Sequence, residues 1–171
     1  KQLNLYNKYE KSILKGKIDF AFTGNTFDNL IGEIKFQDAT YTNENDEYIF
    51  TNFQILATEK DSIRYISIDS PDIVEGHIEG HFNYKDLLKI AQNSLGSIYA
   101  NYERIEVEPN QTVEFNFNIY NKIIEVFYPK VNLAPNTFVK GQIDSNEDKI
   151  DLLLKSPKIK IANNEFDEVK L

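Results

Sequence analysis

The alternation of apolar and polar side chains is the strongest pattern in the sequence. From Gly76 to Tyr84, glycine, isoleucine, phenylalanine and tyrosine occupy the even positions, and histidine, glutamate and asparagine occupy the odd ones. Because successive side chains of a strand point to opposite faces, this pattern predicts a β-strand with one apolar and one hydrated face. Gly76 and Gly80 lie on the apolar face, where glycine usually marks a bulge, a bend or a close approach of another segment.

Shorter alternating segments recur along the chain, separated by turn-forming residues such as Gly24-Asn25 and Pro135-Asn136. We count about ten to twelve predicted strands, and the short connections between them favour hairpins in an antiparallel meander. Residues 1–15 are compatible with either a short strand or a frayed terminus. The other strands are predicted near residues 17–22, 30–41, 48–55, 63–69, 76–84, 113–119, 123–128, 131–133, 138–143, 150–154, 159–161 and 166–171.

Helical spacing appears once, directly after the Gly76–Tyr84 segment. It predicts a single amphipathic helix near residues 85–102, within which Gly96 is a candidate kink or end. A helix of this kind commonly packs its apolar stripe over an edge or mouth of a sheet. The stripe consists of Leu87, Leu88, Ala91, Leu95, Ile98, Tyr99 and Tyr102.

The number of predicted strands limits the shape of the sheet. Ten strands about 4.8 Å apart would span roughly 50 Å, and an open sheet of that size curls, closes or splits into two layers. The predicted inner face is made of isoleucine, leucine and phenylalanine with interspersed glycines. Such a face is either packed on itself or in contact with an apolar ligand. The fold class is therefore mainly β, a long curled antiparallel sheet with one helix.

Composition narrows the classes of function. Hydrophobic residues make up 41% of the 171 residues, which is enough for a core. With no cysteine, the chain has no disulfide, thiolate metal ligand or cysteine nucleophile. The net charge of −8 disfavours binding to nucleic acid or to anionic lipid headgroups. The chain begins with Lys1 and contains no methionine, so we interpret residues 1–171 as a single β segment of a longer protein.

Candidate catalytic and metal-binding residues are few. His77 and His81 share a strand face about 13 Å apart, too far for one metal ion, and we expect both to be hydrated surface residues. The acidic tip 43–47 lacks the spacing of a calcium loop. The glycines of Gly76-x-x-x-Gly80 open no helix, so they form no phosphate loop. We therefore predict no enzyme activity, no cofactor and no metal site.

Four segments together carry a resemblance to a known family. They are 69–80 (Asp-Ser-Pro-Asp-Ile-Val-Glu-Gly-His-Ile-Glu-Gly), 88–99 with its Gln-Asn-Ser-Leu-Gly-Ser run, 115–121 and 133–141. Strands with Gly-x-Ile-x-Phe signatures, and strands interrupted by Ser-Pro-x-Ile, are similar to those of the TamB branch of the AsmA-like superfamily, in its Bacteroidetes and flavobacterial form. The similarity covers most of the chain.

The resemblance implies a folded-over sheet, or β-taco, in the periplasm, tethered to the inner membrane by a region outside this segment. Its open apolar groove would transport phospholipid acyl chains between the inner and outer membranes. It would also support outer-membrane biogenesis and protein assembly through an outer-membrane barrel partner. The helix near 85–102 departs from a plain sheet and is expected to cap the groove or block it.

Under this hypothesis the acyl chains lie against sixteen inner-face side chains. The alternative is a structural or adhesive β module with a dry, self-packed core and no ligand. The proposed groove residues are Ile18, Phe20, Phe22, Ile34, Phe36, Ile66, Ile68, Ile78, Phe82, Phe115, Phe117, Ile119, Ile143, Leu152, Leu154 and Ile159.

Overall fold

A computed structural model describes residues 12–44, 46–96, 103–121, 131–147, 149–161 and 164–171. Within them, ten strands form one antiparallel sheet that does not close into a barrel. The elements are β1 (Ile13–Thr23), β2 (Ile31–Thr42), β3 (Glu47–Lys60), β4 (Ile63–Ser70), β5 (Val74–His81), α1 (Leu87–Gly96), β6 (Thr112–Ile119), β7 (Val131–Leu133), β8 (Thr137–Asp144), β9 (Lys149–Ile161) and β10 (Asn164–Lys170).

Strands that follow each other in sequence are neighbours in the sheet from β1 to β6, and then from β8 to β10. The short β7 pairs with the last residues of β9, Ile159–Ile161, which follow the part of β9 that pairs with β8. This confirms the predicted mainly β meander with one helix. β1 begins at Ile13, inside the region that the sequence left open. The predicted strand 123–128 and the predicted helical residues 97–102 lie outside the described residues.

One face of the sheet is continuously apolar because the strand registers align its side chains. Ile66 lies opposite Ile78, which lies opposite Phe115 on β6. Phe117 in turn lies opposite Val139 on β8. We call this side of the sheet the inner face.

The alternation on β2 and β3 is interrupted at one level in both strands. Asp38 on β2 has a positive φ of 47°. It lies opposite Thr51 on β3, and the regular pairs on either side of these two residues are Gln37–Asn52 and Ala39–Phe50. Successive inner-face side chains are therefore separated here by two residues instead of one, both between Phe36 and Ala39 on β2 and between Phe50 and Phe53 on β3. The rings of Phe36, Phe50 and Phe53 lie within 6.4 Å of one another, which shows that they stay on one side. We call this arrangement a paired break.

A second paired break lies between β9 and β10. Pro157 faces Glu168, whose φ is +51°, and the register continues on either side of them. A proline has no N–H to donate, so an unpaired position in the ladder suits it. Pro157 belongs to a Ser-Pro-x-Ile piece that occurs twice, in residues 70–73 and 156–159, and the serine and isoleucine of both copies are buried.

The sheet curls so that its inner face is concave. At one end, a buried group that we call the first cluster joins strands β2 to β8 and consists of Ala39, Tyr48, Phe50, Ile73, Val74 and Ile119, with Leu133 and Val139 packed against it. At the other end, the β1–β2 turn reaches the start of the helix. There the Tyr84 hydroxyl donates to the Leu30 carbonyl (3.2 Å), and the Lys85 amide donates to Asp28 Oδ1 (3.2 Å).

Candidate functional site: an apolar groove under the helix

The helix α1 covers the inner face of β5, β6, β8 and β9 and leaves a cavity of about 520 Å³ beneath it. Ligand pockets in proteins usually range from about 300 to 1,000 Å³, so this volume suffices for a small or extended ligand. The side chains around it are Ile78, Leu87, Leu88, Ala91, Val113, Phe115, Phe117, Val139, Ile143, Ile150 and Leu152.

The lining of this cavity is almost entirely carbon. None of the lining residues carries a polar side chain, and the cavity opens to the surface on one side. Leu88, at 54% exposure, is an exposed member of the lining. A water molecule in a protein cavity needs two to four polar partners, which this lining does not offer. The cavity therefore suits an apolar ligand better than ordered water.

The sixteen predicted groove residues all lie on the inner face, but they fall into three environments. Those around the cavity are Ile78, Phe115, Phe117, Ile143 and Leu152. Those held in or beside protein packing are Phe36, Ile66, Ile68, Phe82, Ile119 and Ile159. On the outer strands of the sheet lie Ile18, Phe20, Phe22 and Ile34, and Leu154 follows Leu152 on β9.

The structure thus brings five of the predicted residues together around open space and separates the rest from it. Phe82, Ile119 and Ile159 are at most 6% exposed, because other side chains of the protein cover them. By contrast, Phe20 on β1 is 75% exposed and does not line this cavity. The apolar face is accordingly filled by protein at both ends and open in the middle.

Six lining residues were missing from the prediction. Leu87, Leu88 and Ala91 belong to the helical stripe, and that stripe was the signal that could have identified them. Val113 and Ile150 alternate with polar residues on their strands, which is the signal that could have identified them, whereas Val139 follows Phe138 and has no such signal. Ile90, a fully buried apolar side chain of the helix, lies outside the predicted stripe and packs with Phe82, Val113 and Ile143. We call these four residues the second cluster.

A buried carboxylate holds the start of the helix in place. Asp86 is 2% exposed and accepts hydrogen bonds from Lys89 Nζ (3.2 Å), Gln111 Nε2 (3.2 Å) and the Glu108 amide (3.4 Å). Burial by itself would raise the pKa of Asp86, but these hydrogen bonds and the positive charge of Lys89 outweigh it and hold the pKa below its ordinary value. The carboxylate is therefore kept ionised under the helix.

Gln111 connects this carboxylate to the strands. Its amide Nε2 also donates to the Glu108 carbonyl (2.8 Å), and its Oε1 accepts from the Asn83 amide (2.6 Å). Its own backbone amide donates to the Ser145 hydroxyl (3.0 Å) in the β8–β9 turn. Farther along the helix, both ends of the Asn93 amide bond the backbone of Ile105, at 2.8 and 2.9 Å. The helix is thus fixed to the sheet by polar contacts as well as by Ile90.

Two oppositely charged side chains, Arg64 on β4 and Glu59 on β3, lie on the inner face near the helix. Arg64 faces Gly80 across the β4–β5 pair, and its guanidinium carbon lies 4.8 Å from the centre of the Tyr84 ring. It also forms a salt bridge with Glu59 (3.0 Å) and donates to the Phe82 carbonyl. The inner face predicted from the sequence consists of isoleucine, leucine, phenylalanine and glycine, and Arg64 and Glu59 are exceptions to that prediction.

The outer face carries the two histidines. His81 is exposed, as expected, whereas His77 is half-buried, because its ring stacks on Tyr65 with centroids 5.3 Å apart. In the part of the chain that the structure describes, no group of three or more histidine, aspartate or glutamate side chains is arranged to hold a metal ion. Over the same residues, no helix combines the length and apolarity needed to cross a bilayer.

Comparisons of the chain with models of protein families, with curated proteins and with solved structures gave no match. The resemblance to TamB-type proteins therefore stays a prediction from the sequence.

Proposed function

We propose that the chain is a segment of a periplasmic bridge of the TamB type, and that its apolar groove carries phospholipid acyl chains between the inner and outer membranes. The observation that supports this proposal is the half-open cavity of about 520 Å³ between α1 and the sheet, with a lining of hydrocarbon side chains. Transferring an acyl chain into such a lining contributes about 0.8 kcal/mol per buried methylene, so binding needs no contact with the headgroup.

The wider role belongs to the same proposal. The segment would be tethered to the inner membrane by a region outside it, and an outer-membrane barrel would be its partner in membrane biogenesis and protein assembly. The net charge of −8 fits a protein that takes up lipid tails rather than docking on anionic headgroups.

The proposal is tested with two adjacent leucines on β9. Leu152 lines the cavity, whereas Leu153 points to the opposite face and is exposed. The protein is purified from cells fed a photoactivatable fatty acid, irradiated, and analysed by native mass spectrometry and lipid extraction. We expect lipid adducts on the unsubstituted protein and on Leu153→Asp, and a loss of most adducts on Leu152→Asp.

Equal labelling of the two variants would contradict the proposal, provided that circular dichroism shows both to be folded. Absence of any lipid from the unsubstituted protein would contradict it as well. A labelled peptide that maps to β1 rather than to β6, β8 or β9 would place the lipid outside the cavity and count against the groove.

A structural or adhesive β module is the second candidate. The first and second clusters favour it, because they fill the inner face with the protein's own side chains at both ends. A dry module would yield no lipid in the extraction experiment. It would also tolerate Ala91→Trp, which fills the cavity, with no loss of function in cells.

A further inference from the structure

Strand β1 is an open edge of the sheet. It is 11 residues long, every one of its residues is exposed, and within the described residues it pairs only with β2. Its inner face presents Ile18, Phe20 and Phe22, which are 39–75% exposed. A long exposed edge with an apolar face is a template for pairing with another strand.

The opposite edge, β10, is protected against such pairing. It has only seven residues, of which Glu165, Asp167, Glu168 and Lys170 are charged, and the paired break at Glu168 interrupts its regular backbone. Glu165 and Asp167 are already engaged by Lys158 on β9. Bulges and charges are the usual means by which proteins block an edge strand. β1 also has a register shift against β2 and three charged residues, but it is longer than β10 and its inner face carries exposed phenylalanines, so among the described residues it is the edge better suited to pairing.

The sequence of β1 is complementary to itself in the antiparallel direction. In a register centred on Ile18, Lys17 of one copy lies opposite Asp19 of the other, twice over. On the inner face, Gly16 lies opposite Phe20, and Leu14 lies opposite Phe22. Opposite charges and glycine–aromatic pairs are favourable cross-strand neighbours. The inner-face pairs in this register are apolar throughout, whereas the outer pairs Lys15–Ala21 and Ile13–Thr23 are mixed.

In the single chain, Lys17 and Asp19 contact each other along the strand at 3.2 Å, with side-chain exposures of 68% and 54%. An ion pair this exposed contributes little to stability, so exchanging it for cross-strand pairs costs little. Full pairing over β1 would add roughly ten backbone hydrogen bonds. Because a two-fold axis relates the two copies, both β1 edges are used up in one dimer, and the contact does not lead to larger assemblies.

We propose that β1 is a self-association edge, through which two copies of this chain pair antiparallel about Ile18. The dimer joins the inner faces of both copies into one surface across the two-fold axis. This proposal is independent of lipid binding, and either one can fail alone.

Sedimentation equilibrium of the 171-residue chain tests the association, with charge variants that alter only the β1 edge. Asp19→Lys places two lysines opposite each other at both symmetric positions, and we expect it to weaken the dimer about tenfold or more. The double variant Lys17→Glu with Asp19→Lys restores opposite charges, and we expect it to dimerise within about threefold of the unsubstituted chain. Glu168→Lys on β10 makes the same charge change and should leave dimerisation unaltered.

Cysteine crosslinking tests the register, since the chain has no cysteine of its own. In the proposed pairing, Ile18 lies opposite Ile18 of the second copy, so mild oxidation of Ile18→Cys should give a disulfide dimer. Phe22→Cys should not, because the two positions would be about 27 Å apart at 3.4 Å per residue.

A protein that stays monomeric at all concentrations would overturn the proposal. So would a dimer that survives Asp19→Lys, a dimer that crosslinks as well through position 22 as through position 18, or growth into filaments that use β10.

Discussion

At the residue scale, Gly80 shows how closely neighbouring strands approach. A Cβ atom at this position would lie 2.1 Å from the Thr112 carbonyl oxygen on β6, and the backbone φ is +141°, which side chains rarely adopt. Of the three roles that the sequence left open for this glycine, a bulge, a bend or a close approach, the structure shows the close approach. A side chain here meets fixed backbone rather than a movable group, so the strand itself would have to shift.

We expect Gly80→Ala to lower the free energy of unfolding by more than about 1 kcal/mol, because it adds both a clash and backbone strain. Urea denaturation followed by circular dichroism measures this change. The matched control is His81→Ala, an exposed neighbour on the same strand, which should stay within about 0.5 kcal/mol. A Gly80→Ala variant as stable as the control would contradict the close approach of β5 to β6 at this position.

A second prediction at this scale concerns the buried serine of the repeated Ser-Pro-x-Ile piece. The Ser156 hydroxyl lies 2.6 Å from the Thr137 hydroxyl and 2.9 Å from the Lys158 carbonyl. Ser156→Ala removes both bonds inside the protein, so we expect a loss of about 1–3 kcal/mol in denaturation. Thr58→Ala, on an exposed part of β3, provides the control. Equal stabilities would show that the hydroxyl makes no net contribution.

Much of the residue scale was accessible from the sequence. The period-two pattern was sufficient to place the sixteen proposed groove residues on one face, since each strand has only two faces. It could not distinguish Phe82, which protein covers, from Phe115, which borders the cavity. That distinction depends on which side chains of distant strands and of α1 lie above them, and the local pattern contains no information about those contacts.

At the scale of elements, the helix depends on a buried charge for its attachment. Asp86 is ionised in the folded protein with a pKa below its ordinary value. A carboxyl with a lowered folded pKa contributes stability above its unfolded pKa of about 3.9, and that contribution disappears as the pH falls through the folded pKa. The anchor of α1 should therefore weaken under acid conditions.

We expect Asp86→Asn to destabilise the protein by about 1–3 kcal/mol at pH 7, because a charged acceptor of three hydrogen bonds is lost. The difference from the unsubstituted protein should shrink as the pH falls below about 4, where the carboxyl of the unfolded chain takes up a proton, and should disappear below the lower pKa of the folded protein. Denaturation at neutral pH and at two acid pH values on either side of that point measures both effects. Asp69→Asn, exposed on β4, should show neither. A difference that is constant across these pH values would exclude a role for the charge.

The sequence predicted the helix but not its attachment. Periodicity identified a stripe on one face of α1, whereas the buried anchors are Asp86, Ile90 and Asn93. Asp86 and Gln111 are 25 residues apart, and no local pattern relates an acid on a helix to an amide at the start of a strand. Polar partners of this kind become visible only once the sheet has brought the two segments together.

At the scale of the whole molecule, we predict that a ligand bound under the curled sheet raises the stability of the fold. If the cavity binds acyl chains, a ligand at about 100 times its dissociation constant should stabilise the fold by about 2.7 kcal/mol. A thermal-shift titration with a long-chain fatty acid should then show a rising midpoint for the protein and for Leu153→Asp. Leu152→Asp should show no rise. A rise shared by all three proteins would indicate binding elsewhere on the surface.

The strand count limited the sheet to curling, closing or splitting into two layers, since an open sheet of ten strands rarely stays flat in water, and the family resemblance favoured the curled form. The sequence could not predict that the first cluster would fill one end and the helix the other. Both outcomes depend on contacts between strands that are distant in the chain, such as Tyr84 with Leu30. The antiparallel sheet was thus predictable from the sequence, whereas the positions of the filled and open parts of its inner face were not.

The paired break at Asp38 and Thr51 restricts how the length of this protein can change. Loss of Asp38 alone would shift β2 by one residue and turn Ile34 and Phe36 to the solvent, since a strand reverses its side chains at every step. Only a matching loss in β3 would restore the facing pairs. The two arms of the β2–β3 hairpin therefore keep their facing pairs only when they change length together, whereas β1 passes the same level with Gly16 alone and absorbs the extra residue of β2 as a shift in register.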